Sequence, residues 1–166
     1  MARAVCLILA CCLTAPSLAQ KAEDRAIAYL AREVAQWRGS NGCFSCHNNG
    51  DGARALYQAI QAGKSVAPAA LEETTRFLAD PAQWDQNKMD EAFSDKSLAR
   101  IQFAVAVAAA YQPAPIKERS AVEQAALMLT PLQGSDGSWP VATGAMPGAP
   151  ATYGTALATL LLKRML

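Results

Sequence analysis

The tripeptide Ala35-Gln36-Trp37 recurs as Ala82-Gln83-Trp84, 47 residues on, and GSNGCF at Gly39 to Phe44 recurs as GSDGSW at Gly134 to Trp139, at about twice that distance. The two spacings agree with one another, and the register they define also matches core-type positions. Ala26-Ile27 meets Ala121-Val122, Val34 meets Leu129, and ARAL at Ala53 to Leu56 lines up with GTAL at Gly154 to Leu157. A period of this length is the signature of stacked supersecondary units, each too small to bury its own apolar face.

The units read as pairs of helices. Ile27, Leu30, Val34 and Trp37 fall on one face of a helix from Ala22 to Trp37, with Glu23 and Asp24 in the first turn, and Gly39 to Gly42 are expected to stop it. Asp51 could cap a second helix ending near Ala62, with Gly63 as terminator. Pro68 opens a helix of about three turns through Leu78, and a polar linker follows from Asp85 to Asp95. Between Ile101 and Tyr111 only Gln102 is polar, so a helix from about Ser97 to Tyr111 should be buried on most sides. A helix from about Ile116 to Thr130, a Gly- and Pro-rich loop and an apolar helix from Tyr153 to Leu166 complete the chain. No alternating strand pattern is present. The expectation is an all-α fold of three stacked helical hairpins, at about 22–63, 68–111 and 116–166.

QGSDGSW, at Gln133 to Trp139, has the Gln-x-x-x-Gly-x-Trp form that recurs in the squalene cyclase and prenyltransferase repeat family. The chain resembles that family most around 117–166, less around 21–63 and faintly around 68–111. The resemblance implies part of an α/α toroid, with the Gln and Trp joining consecutive helices. It does not bring catalysis with it. The Asp-x-Asp-Asp acid motif of the cyclases is absent. The zinc site of the protein prenyltransferases needs a His far in sequence from its Cys, whereas here Cys43, Cys46 and His47 lie within five residues. Three hairpins would form about half a ring, so the repeat reads as scaffold and no enzymatic activity is assigned.

The first unit carries NGCFSCH where the third carries SDGSW. Cys-x-x-Cys-His resembles the attachment motif of c-type cytochromes, in which two thiols bond the porphyrin edge and the adjacent imidazole binds the iron. That resemblance covers five residues. It implies one covalent haem c on Cys43 and Cys46, with His47, the sole histidine of the chain, as proximal iron ligand. A distal ligand would have to be another residue type. Methionine is the obvious candidate: Met89 lies in the linker of the neighbouring unit, and Met146 lies in TGAMPGAP, which resembles the Met-Pro loop of small cytochromes; an open distal position is also allowed. Met128, between Leu127 and Leu129, reads as core.

Export agrees with this chemistry. Residues 1–19 have Arg3, an apolar run from Ala4 to Leu13, Pro16 and a small-residue ending at Ala19, the layout of a secretory signal peptide, leaving 20–166 as one exported domain, periplasmic or secreted. Cys11 and Cys12 offer a weaker lipoprotein alternative. The apolar run is too short for a membrane span. Removal of the leader takes Cys6, Cys11 and Cys12 away, so Cys43 and Cys46 become the only thiols, and loss of Arg3 brings 15 basic and 14 acidic side chains to parity. That balance lacks the basic footprint of nucleic-acid binding.

The expected function is electron transfer or redox sensing, with a redox partner protein the sequence does not identify. The competing expectation is a non-catalytic binding module whose loop is stapled by a disulfide or a metal. The apolar last helix makes a homo-oligomer plausible. Trp37, Trp84 and Trp139 read as covers for helix corners, Glu72-Glu73 as dipole complement, and Asp85 to Asp95 as a solvated linker.

Overall fold

The computed structural model describes residues 18–88, 95–111, 116–141 and 154–165. Among them every regular element is helical and none is a strand, so the fold is all-α. The longer helices are α1 (Leu18–Asn41), α2 (Ala53–Gln61), α3 (Glu72–Leu78), α4 (Lys96–Tyr111), α5 (Arg119–Leu129) and α6 (Thr155–Met165). A π-helical turn, Cys46–Gly52, leads directly into α2, and 3-10 turns occur at Pro68–Ala70, Pro81–Gln86 and Thr130–Leu132.

Helix α4 is the axis of the molecule. Ten of its residues are buried, among them Leu98, Ile101, Phe103 and Val107, and the π turn, α2, α3, α5 and α6 all pack on it. Its run of small and β-branched residues allows this: Ala99, Ala104, Ala106 and Ala110 let neighbouring backbones approach, while the larger side chains fill the spaces between them. Burying each of those larger side chains contributes about 1.5–3 kcal/mol.

Helix α1 presents the face its periodicity requires: Val34 is buried and Ile27, Leu30 and Ala31 pack against the core, while Tyr29 and Arg32 lie outside. It begins at Leu18, within the segment expected to be a leader, and continues through Gly39 and Ser40 to Asn41. A glycine with helical φ weakens a helix without ending it. The residue that ends α1 is Gly42, at φ +71°, a left-handed conformation that side chains disfavour. Gly63, at φ +76°, ends α2 in the same way, as expected.

Other element boundaries also depart from the sequence reading. Pro68 opens a 3-10 turn, and α3 begins only at Glu72. Residues 81–86 form a 3-10 turn in which Trp84 is buried, so the first part of the expected linker is structured. Its remainder, with Met89, and the loop carrying Met146 lie outside the described residues. Trp37 is not at a helix corner but inside α1, where its indole N–H is buried without a partner among the described residues.

Trp139 does close a corner. Its indole Nε1 donates to Leu129 O at the end of α5 (2.9 Å), and Gln133 Nε2 donates to Gly137 O (3.0 Å). The backbone then docks on α6, with Trp139 N donating to Thr159 Oγ1 (3.0 Å) and Val141 N to Thr155 Oγ1 (3.1 Å).

Candidate functional site

After Gly42 the chain is extended through Phe44 and Ser45, then turns into the π helix. Cys43 and Cys46 therefore flank a short extended segment, and His47 is the second residue of the turn. Ser45 is its N-cap, and Ser45 Oγ accepts from His47 N (3.1 Å) and Asn48 N (3.2 Å), satisfying donors that a helix start leaves bare. Asp51, expected as a cap, lies inside the π turn instead. The cap position belongs to Ser45 because the turn begins seven residues before α2.

Two side-chain clamps hold this segment. Asn49 is fully buried; it accepts from Ser45 N (2.9 Å) and donates to Val34 O of α1 (3.2 Å) and Thr74 Oγ1 of α3 (2.8 Å). Asn87 pairs with the residue between the cysteines as a neighbouring strand would: Phe44 N donates to Asn87 Oδ1 (2.9 Å) and Asn87 Nδ2 donates to Phe44 O (2.7 Å). The Phe44 ring lies flat on Phe77, centroids 3.9 Å apart, and Phe77 in turn meets the edge of Phe103 on α4. Arg38 sits over the other side of Phe44 and donates to Gly42 O.

The π turn approaches α4 closely. A Cβ on Gly50 would stand 3.1 Å from Gln102 Cβ, and one on Gly52 would stand 3.2 Å from Val34 Cγ2. Gln102, fully buried within the apolar α4, donates from Nε2 to Asp51, and Asp51 is also ion-paired with Arg54 (3.1 Å). Gln102 Oε1 and Arg54 Nε are buried without partners among the described residues. Burial pushes the Asp51 carboxyl up, against the opposing pull of Arg54 and Gln102.

Cys43 and Cys46 are both partly buried free thiols, and His47 is exposed. Burial, reinforced by the Asp51 charge, pushes the Cys46 thiol up to about 11. Such a thiol is a poor nucleophile at neutral pH, which disfavours a thiol-disulfide exchange centre. Among the described residues no three His, Cys, Asp or Glu side chains gather closely enough to hold a metal.

For a covalent haem the three attachment residues are suitable: two unlinked thiols on either side of a fixed bend, and an accessible imidazole next to the second. Among the described residues, grooves of about 360 and 460 Å³ have linings that do not include Cys43, Cys46 or His47.

Sequence reasoning brought out Cys43, Cys46 and His47 but missed Asn49, Thr74 and Asn87, which shape their loop. Gln102 was visible as the one polar residue of an apolar run, a signal that it meets a buried polar partner. Asn87 gave no local signal, since its partner is 43 residues away.

The same register position carries the same device twice. Gly42 and Gly137 both have positive φ (+71° and +83°), each is followed two residues later by a buried aromatic, and each aromatic's backbone N–H is received by a side chain from a separate part of the chain, Asn87 for Phe44 and Thr159 for Trp139. No family model, curated protein or solved structure matches the chain.

Proposed function

We propose that this chain is an exported c-type haem protein, working in electron transfer or redox sensing, with Cys43 and Cys46 as the covalent anchors and His47 as the proximal iron ligand. The observation that carries the reading is the pair of free thiols flanking a bend that Asn49 and Asn87 hold, with His47 exposed beside the second thiol. A covalently held haem would supply a one-electron couple, its potential set by its axial ligands and surroundings. The chain's own residues fix the imidazole end of that couple. Ser45 Oγ holds the His47 backbone N–H, and the Asn49 clamp keeps the turn from unwinding.

Both candidate distal ligands, Met89 and Met146, lie outside the described residues. The bonds between Asn87 and Phe44 favour Met89, which follows Asn87 by only two residues. The resemblance to a toroid repeat stays part of the proposal, as the scaffold on which the loop is carried.

The test is an absorption spectrum, oxidised and reduced, of protein exported by a host able to attach c-type haem, followed by intact mass after denaturation. A Soret band and a mass increase of one haem that survives denaturation are expected. Colourless protein of unmodified mass would overturn the reading in favour of the second one, a binding module without haem. The close packing of the π turn on α4 speaks for that alternative.

A further inference from the structure

Beside the Cys-x-x-Cys segment, on the side of Phe44 away from α4, is an open groove of about 460 Å³ between the end of α1, α3 and the 3-10 turn at 81–86. The stacked pair Phe44 and Phe77 lines it, Phe77 being the more exposed of the two. Its charged lining is cationic, Arg38 and Lys88, and Gln83 and Gln86 add two exposed amides. No acid lines it. Two acids of the neighbouring 3-10 segment are engaged elsewhere: Asp85 is held by two nitrogens of Arg100, at 2.8 and 2.6 Å, and Asp80 receives Gln83 Nε2. Glu73 reaches Arg38 only at 3.8 Å, with both side chains about half exposed (55% and 41%), a contact that water competes with readily. Lys88 is exposed, and Arg38 keeps about two fifths of its side chain exposed beside Glu73.

We propose that this groove docks an acidic peptide segment of a partner protein. Carboxylates would pair with Arg38 and Lys88, the Gln83 and Gln86 amides would bond the segment's backbone, and its apolar atoms would lie on Phe44 and Phe77. A planar guanidinium and a flexible ammonium at the two sides suit a chain with successive acids better than a single small anion. Because Phe44 both lines the groove and is one of the two residues between the cysteines, a bound segment lies directly against the thiol turn. The docking does not depend on haem: it is carried by the groove's own lining.

The probe is a fluorescently labelled hexaglutamate peptide, with hexaglutamine as its uncharged match, read by anisotropy on the full chain in both its haem-bearing and haem-free forms, so that loss of docking and absence of haem register separately. Hexaglutamate is expected to bind and hexaglutamine not, with affinity falling as salt is raised. Lys88→Gln should weaken binding about fivefold and the Arg38→Gln, Lys88→Gln pair at least tenfold, with helical circular dichroism unchanged. Glu73→Gln, which releases Arg38, should tighten binding about twofold, an effect that damage to the fold does not produce. Absence of binding, equal weakening by the distant Arg164→Gln, or full displacement by inorganic phosphate at equal charge concentration would overturn the proposal, the last in favour of a small-anion site.

Discussion

The Asn49 side chain takes one hydrogen bond from Ser45 and gives two, to α1 and α3, from a fully buried position. Asn49→Ala would strand the Ser45 N–H and take a partner from the Thr74 hydroxyl, while the Val34 carbonyl keeps its place in the α1 ladder. We predict a loss of roughly 2–4 kcal/mol, read from the urea midpoint, since each orphaned buried group costs about 1–3 kcal/mol and part of that is recovered by relaxation. A shift below 1 kcal/mol would show that the turn is held by other contacts. Cys46 makes a different prediction for the haem-free chain. Its thiol ionises near 9 when unfolded and at about 11 when folded, so between those values the folded state holds the extra proton and stability falls as pH rises. The fall should amount to roughly 1–3 kcal/mol from pH 9 to 11. Tyr57, pushed up to about 12 by burial, adds a slope of the same sign, so the comparison is with Cys46→Ala, which should show a shallower decline. Parallel curves for the two proteins would contradict the assignment.

At the level of elements, the π turn and α4 are joined where glycine removes a side chain. Gly50→Val should cost about 1–3 kcal/mol, because the new methyl groups meet Gln102 Cβ, which is fixed to a helix backbone and cannot swing aside. Circular dichroism melts of this variant beside Gly39→Ala, which meets nothing within 4 Å and has helical φ, separate crowding from backbone effects; Gly39→Ala should be neutral or stabilising. The sequence made the faces of these helices readable, since Ile27, Leu30 and Val34 repeat at helical spacing. Their ends were less readable. Gly39, Ser40, Asn41 and Gly42 each looked able to stop α1, and the choice among them lies in which one is left-handed, a property set by where the next segment must go. Asp51 looked like a cap because carboxylates favour that position, yet the turn starting earlier gave that place to Ser45 and turned Asp51 toward Gln102 and Arg54.

For the molecule as a whole, α4 is the element that α2, α3, α5, α6 and the π turn share, and its burial was legible because an apolar run broken only by Gln102 has nowhere else to go. Phe103 sits where the aromatic contacts meet, edge-on to Phe77 and 5.6 Å from Trp84. Phe103→Ala should cost about 3–5 kcal/mol, measured by denaturant unfolding, and should loosen the Cys-x-x-Cys segment as well, since Phe44 rests on Phe77. If haem is attached, Met89→Ala should lower the reduction potential and change the oxidised spectrum while Met146→Ala leaves both in place; the reverse result would move the distal ligand to the third hairpin. The clamps were not legible, because Asn87 and Thr74 act across 43 and 25 residues and long-range pairs leave no periodic trace.

That long reach has a consequence for timing. The thiol loop is shaped by Thr74, Asn87 and Gln102, all made after it. As the chain emerges, the Cys-x-x-Cys-His stretch lacks its full set of partners until Gln102 has been made, and any chemistry at Cys43 and Cys46 that needs a pliable substrate has that interval in which to occur.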